Sequence, residues 1–486
     1  MNALIWFVIL YWVASVGIGI FAARFARSSR DFAVAGRALP LYVVTATVFS
    51  TWFGSEAILG IPNTFVEEGF VGVIADPFCS GMCLILVGIL IARKLYRMNL
   101  ITITDFYRYR YGRAVEVIVA LSIVVSYLGW VSAQIKALGL VFNIISDGAV
   151  SINIGMVIGL SCVLIYTLLG GMWSVAITDF VQMLIIVGGI IYICFEMAGM
   201  IPGGAGFVIN HAYEAGKLSF IPEMNTAAIF AFVGPGITML FGSMPQQDIF
   251  QRIGSAKNET VAQQGSIFGG AFYILFGLLP MFLCYATTLL DPQLCETIVE
   301  IDGQLILPAM IIKYMPLFAQ VMFFGALLSA IQSSASATLL APSVTFSENI
   351  VKGFFPKMSD RQHLFMMRAV VLGFAAFVLG FAMYTDSSIF EMVENAYKST
   401  LVIAFIPLMA GFFWKPASNK GALLSMITGT IVWIAMEIID PEGTVPPQLY
   451  GFAVALVGMV IGSLIWKRAD DFVEPPLSEE MPATES

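Results

Sequence analysis

Phe49-Ser50-Thr51-Trp52-Phe53-Gly54-Ser55-Glu56 interrupts an apolar run long enough to cross a bilayer, and it carries glycine and polar residues where an anchoring helix would carry leucine. Phe241-Gly242-Ser243-Met244-Pro245-Gln246-Gln247-Asp248 interrupts a second run in the same way and shares the tripeptide Phe-Gly-Ser. Non-helical backbone at membrane depth is tolerated only where protein buries it or where it lines a cavity. Two interrupted helices at corresponding places in two halves of a chain therefore point to a transporter's central site, because unwound carbonyls and half-helix ends are ready-made ligands. Kinks between packed helices are the plainer reading.

The surrounding sequence is membrane-embedded. Of 486 residues, 59% are hydrophobic and 12% charged, with a mean hydropathy of +0.88, far above an ordinary soluble domain. Thirteen stretches read as candidate spans, at 3–23, 40–62, 68–94, 114–146, 150–169, 174–200, 226–251, 262–290, 303–350, 366–384, 388–413, 419–439 and 446–467. The interrupted runs are the second and seventh, so spans two to six and seven to eleven form two sets of five. The expected fold is an all-α polytopic membrane protein of about 13 transmembrane helices. Its expected parts are a first helix and loop (1–39), a five-helix unit (40–200), an outer loop (201–225), a second five-helix unit (226–415), two C-terminal helices (416–469) and a disordered cytoplasmic tail (470–486).

Charge gives the expected orientation. With the N-terminus outside and the C-terminus inside an inner (cytoplasmic) membrane, 20 of the 24 Lys and Arg fall on the cytoplasmic side, two outside (Lys217, Lys313) and two within spans (Lys136, Lys398). The acidic excess falls outside, at Glu67, Glu68, Glu214, Glu223, Asp291, Glu296, Glu300 and Asp302. No basic residue precedes the first apolar stretch, so it reads as a retained span and not a signal peptide. The segment 101–112, ITITDFYRYRYG, reads as an interfacial helix. Five of the six cysteines (Cys79, Cys83, Cys162, Cys194, Cys284) lie in apolar stretches without metal-ligand spacing, and His211 and His363 are far apart. Catalytic and phosphate-loop motifs are missing, as is a repeated channel filter, so neither an enzyme nor a channel is expected.

Further elements resemble the sodium:solute symporter family. They are Ala35-Gly36-Arg37 with Leu39, Tyr166-Thr167 leading to Gly170-Gly171-Met172-Trp173-Ser174 and Thr178-Asp179, Pro245-Gln246 with Gln251-Arg252, the hydroxyl-rich run Ser329 to Ser347, and Gly411-Phe412-Phe413-Trp414-Lys415. The resemblance, which runs over most of the chain, implies a LeuT-like core of two inverted five-helix repeats with one helix before and two after. It also implies a sodium site formed by the carbonyls of Ser50, Phe53 and Ala330 and the hydroxyls of Ser333 and Ser334. Sodium is a hard cation suited to oxygen ligands, and residues 330, 333 and 334 share one helix face. The family's second ion position matches Asp179, Ser333 and Ser336, but Ala337 stands where another hydroxyl is expected. Asp179 is equally readable as an exit-path or gating residue.

For the solute, an ionisable residue inside the membrane is a functional candidate whose partner must be named. Glu56 and Lys398 can pair, or hold the two ends of a zwitterion, while Lys136 reads as structural. Thr51-Trp52-Phe53-Gly54, and Trp130 with Gly139, resemble the choline-transporter branch, whose aromatic residues surround a quaternary ammonium; Gln246 stands where that branch has another tryptophan. The candidate solute-binding set is Thr51, Trp52, Ser55, Glu56, Trp130, Gln134, Phe241, Gln246 and Lys398. The sequence thus implies a sodium-coupled importer of a small organic solute (amine, amino acid or carboxylate), with sodium the coupling ion and no other cofactor, nucleic acid or obligatory protein partner. A proton-coupled carrier, a choline or quaternary-ammonium transporter and a membrane sensor on the same core are the alternatives.

Overall fold

The structure is a computed structural model in which residues 3–299, 302–355, 357–385, 387 and 389–466 are described. Its regular elements are helices, because a chain in lipid must satisfy its backbone internally, and one isolated bridge pairs Leu39 with Ala256. In order, the main helices are α1 (Ala3–Ala22), α2 (Leu41–Trp52), α3 (Ile61–Glu68), α4 (Ser80–Leu90), α5 (Ile103–Tyr111), α6 (Arg113–Ile145) and α7 (Ile152–Met200). There follow α8 (Gly204–Glu214), α9 (Thr226–Gly242), α10 (Gln247–Ser255), α11 (Glu259–Leu290), α12 (Pro292–Val299), α13 (Ile306–Tyr314) and α14 (Leu317–Asn349). The last are α15 (Asp360–Tyr384), α16 (Ile389–Ala396), α17 (Ile406–Phe413), α18 (Asn419–Ile439) and α19 (Pro447–Ile465).

Among the described residues nine helices are long and apolar enough to cross a membrane, or ten if α9 and α10, bent by 42°, make one span. The protein is a multi-pass membrane protein. Short polar side chains fix where many helices begin: Asn225 caps α9, Asn258 caps α11, and Ser418 caps α18, each accepting a backbone N–H. Thr102 with Asp105 and Ser359 with Gln362 form capping boxes at α5 and α15.

Helix α7 has 49 residues, about 74 Å at 1.5 Å per residue, and so exceeds one crossing. It turns at Gly171, where φ is 52° and ψ is −136°, a conformation that a side chain would strain; the break separates the stretches expected at 150–169 and 174–200. The apolar stretch at 303–350 divides between α13 and α14, because Pro316 caps a new helix. The outer loop expected at 201–225 contains α8, and 101–112 folds as α5 but packs into the bundle: Tyr107 and Tyr111 donate to the carbonyls of Ala404 and Pro407 at 2.9 and 2.8 Å. Glu300, Lys467, Arg468 and the tail 470–486 lie outside the described residues.

The first interrupted helix is central. Helix α2 packs against α7, α10, α11 and α14, and every residue from Ala46 to Trp52 is buried. Helices α18 and α19 pack on each other at the periphery.

Candidate functional site

Helix α2 stops at Trp52 because Phe53 leaves helical geometry, at φ −84° and ψ 74°. A wide turn over Glu56–Gly60 then leads into α3. The interruption frees backbone groups inside the bundle, and buried polar groups need partners. Gln134 of α6 accepts from the Ser55 N–H at 3.0 Å, and the Ser334 hydroxyl donates to the Ser50 carbonyl at 3.4 Å. The second interruption follows Gly242. Pro245, which lacks an N–H, prevents α9 from continuing, the Gly242 carbonyl accepts from Thr400 at 2.6 Å, and Gln246 donates to Ser126 and Thr400 at 3.1 and 3.3 Å.

Gly54 lies where the groups of the first interruption converge. A Cβ there would stand 2.6 Å from Glu56 Oε2, 2.8 Å from Ser334 Oγ and 2.9 Å from Gln134 Nε2. A side chain there would have to displace the ends of all three.

Around Asp179, three helices exchange polar contacts. The carboxylate, fully buried on α7, accepts from Thr47 of α2 on Oδ2 and from Ser333 of α14 at 2.6 Å on Oδ1, and its carbonyl accepts from Ser50 Oγ at 3.3 Å. Ser50, Ser333 and Ser334 are thereby brought together, with Ala330 buried one turn earlier on the same face of α14. Phe53 stacks on Phe49 with centroids 5.0 Å apart. Ser336 donates back to the Ser333 carbonyl at 3.0 Å, and Thr51 to that of Thr47 at 2.6 Å, so both hydroxyls are engaged within their own helices.

Glu56 is 2% exposed and accepts from Trp130 Nε1 at 3.1 Å, Gln134 Nε2 at 2.7 Å and Ser55 Oγ at 3.4 Å. Lys398, offered by the sequence as its partner, turns the other way. Its Nζ lies 3.5 Å from Glu437 of α18, while Thr400 of the same turn reaches the Gly242 carbonyl of the second interruption. Phe241 also lies apart, stacked on Phe405 at 4.7 Å with Phe452 beyond. Lys136 donates to the Ser387 carbonyl at 2.7 Å, a structural contact.

Two carboxylates outside the expected set join the centre. Asp248, in the first turn of α10, accepts from Trp52 Nε1 at 2.6 Å and from the Tyr127 hydroxyl; Asp76, ahead of α4, accepts from Tyr273 at 2.7 Å. Trp52, Trp130 and Tyr397 form a ring cluster with centroids 5.8 to 6.4 Å apart, and Tyr127 stacks on Trp130. Both acids were visible as ionisable residues inside apolar runs, which is the signal that would have found them. Arg252 is buried, and among the described residues its hydrogen bond is to the carbonyl of Asp248, at 3.2 Å.

An all-helical bundle with two interrupted helices meeting at a buried polar centre defines a secondary-transporter architecture. The chain belongs to the sodium:solute symporter family, whose model matches residues 32–429. It is 26% identical over 448 residues to the high affinity choline transporter 1 of Homo sapiens, covering 88% of this chain and 75% of that one. It is 23% identical over 483 residues to the osmoregulated proline transporter OpuE of Bacillus subtilis, covering 94% of each. Its fold is similar to that of a Na+-coupled sialic acid symporter solved in a substrate-bound outward-open state, with a TM-score of 0.82 at 17% identity over 96% of this chain and 99% of that one. The family and these relatives are transporters and not enzymes.

Proposed function

We propose that the protein imports a small organic solute into the cell by sodium-coupled alternating access. The observation that carries the reading is the meeting of the interrupted α2 with α14, where the Ser50 carbonyl, the Ser333 and Ser334 hydroxyls and the Asp179 carboxylate converge in a buried, oxygen-only environment. Such a set suits a hard monovalent cation. Sodium bound between α2 and α14 would favour one of two arrangements of the bundle, and the solute, docking at the interruptions, would share that preference. Coupling is then a difference in affinity between states. The proposed topology is thirteen crossings, with two inverted repeats over 40–200 and 226–415, an external N-terminus and a cytoplasmic C-terminus in the inner membrane, following the basic residues.

Sodium-dependent uptake into proteoliposomes tests the reading, using a solute drawn from a thermal-shift screen of amines, amino acids, sugars and acids. Ser333→Ala should raise the sodium requirement about tenfold, the scale of one lost ligand to a charged group. An unchanged requirement contradicts the assignment. Glu56 and Asp179, buried carboxylates with no cation within ion-pair reach among the described residues, favour proton coupling as the second reading. Uptake driven by a proton gradient in sodium-free medium would establish it.

A further inference from the structure

We infer that the solute is an organic cation carrying N–H groups, a protonated primary or secondary amine, and that Asp76 and Asp248 bind it together with Glu56. This rests on the reading of the interrupted helices as the solute site.

Glu56, Asp76 and Asp248 are 2%, 5% and 0% exposed. They come from three separate elements, and their partners tie each to the first interruption: Trp52 donates to Asp248, Trp130 to Glu56, and Tyr273, whose ring lies 6.1 Å from that of Phe53, to Asp76. Their hydrogen-bond partners are neutral: tryptophan, tyrosine, serine and glutamine. Among the described residues no Lys, Arg or His comes within ion-pair distance of any of them. Lys398 is held by Glu437, and Arg252 reaches a carbonyl. Asp76 accepts from the Tyr273 hydroxyl on Oδ1 at 2.7 Å. Carboxylates buried in a membrane interior without a cation are expensive. The ligand that makes this centre stable brings the missing positive charge.

The surroundings narrow the ligand further. Trp52, Trp130 and Tyr397 offer faces that attract a cation. Gln246, in the second interruption, adds a neutral amide and not another ring, tied to Ser126 and Thr400. Carboxylate oxygens spread over the site favour directional N–H donors over a methylated head that presents none. A nearby cavity of about 400 Å³ is acidic as well, lined by Glu68 and Glu223 together with Ile74 and Ala75, the two residues before Asp76. A positively charged solute would be concentrated there, and an anion repelled.

The test is thermal stabilisation of the purified full-length protein in sodium, with four probes of nearly one skeleton: ethanolamine, choline, ethylene glycol and glycolate, and with 1,3-diaminopropane as a longer ammonium. Ethanolamine or the diamine should stabilise, and choline, glycol and glycolate should be weaker by about tenfold or more, the scale of a charged hydrogen bond. Asp76→Asn and Asp248→Asn should each weaken the ammonium probe about tenfold while leaving the shift given by sodium alone unchanged. The inference is overturned by glycolate, glycol or choline stabilising as strongly as the ammonium probes, by no response to either ammonium probe, or by Asn variants that bind the ammonium as the unmodified protein does. The probe series on the unmodified protein decides the matter even where a variant does not fold. Loss of the sodium-only shift in the Asn variants would make these acids ion ligands and overturn it too. A protein that sodium alone never stabilises refutes the symport reading instead, a separate outcome.

Discussion

Replacing Gly54 by alanine places one methyl group at the point where three proposed ligand groups meet. Its Cβ would stand 2.6, 2.8 and 2.9 Å from Glu56 Oε2, Ser334 Oγ and Gln134 Nε2, all shorter than an ordinary van der Waals contact. Each would give up a contact on moving: Gln134 that to the Ser55 N–H, Ser334 that to the Ser50 carbonyl, and Glu56 that from Trp130. Overpacking of this kind costs about 1–3 kcal/mol. Where the strain falls on binding groups, that is a loss of about five- to 150-fold in affinity. The measurement is a sodium titration of the melting temperature, which rises with ligand concentration relative to its dissociation constant. Gly54→Ala should need correspondingly more sodium. Gly188→Ala on α7 is the control, since a Cβ there meets nothing within 4 Å, and it should titrate like the unmodified protein. A folded Gly54→Ala protein with an unchanged sodium midpoint would refute the placement of the ion beside this interruption.

Lys398→Met should leave uptake within about twofold, because a partly exposed pair such as Lys398–Glu437, at 3.5 Å, is worth at most about 1 kcal/mol; abolished uptake would return Lys398 to the solute site. Gly171→Ala should lower the melting temperature or the folded yield, since φ of 52° with ψ of −136° is strained for any side chain by about 1–3 kcal/mol and the new methyl would press on the Phe32 carbonyl; an unchanged melting temperature would contradict the turn. Lys313 and Tyr314 hold the Asp291 carboxyl at about 2, below its ordinary 3.8, so its contribution to α12 is present above about pH 4 and is lost as pH falls through about 2. The protection of amides over 292–299, taken relative to their unstructured exchange rate at each pH, should therefore stay constant from neutral pH to about 4 and fall below it, and Asp291→Asn should abolish that dependence. A loss of protection already near pH 6 would mean that another group governs the helix.

Much of this architecture is legible from the chain alone. Long apolar runs become helices because lipid offers the backbone no other partner, and Asn225, Asn258, Ser359 and Ser418 announce where helices start. Gly54, Pro245 and Gly171 mark where regular helix cannot continue, and Ser333 with Ser334 can be assigned to one helix face by spacing alone. Less legible was the division at Pro316, which lies within a run of uniform hydropathy, and the docking of α5, whose aromatics and arginines look equally suited to an interface.

The partners of the ionisable residues were decided only by tertiary structure. In a helix apolar all round, the face toward protein and the face toward lipid carry the same kinds of side chain, so periodicity gives no direction. Lys398 and Glu56 were equally available to each other in sequence, and packing sent one to Glu437 and the other to Trp130 and Gln134. Asp76 and Asp248 are 172 residues apart, and no local pattern connects them; the fold ties one to Tyr273, which packs on Phe53, and the other to Trp52, both at the first interruption. The sequence determines how many charges the membrane must accommodate and where helices fail, because those follow from local chemistry. Which charges share one environment is a property of how the helices lean together.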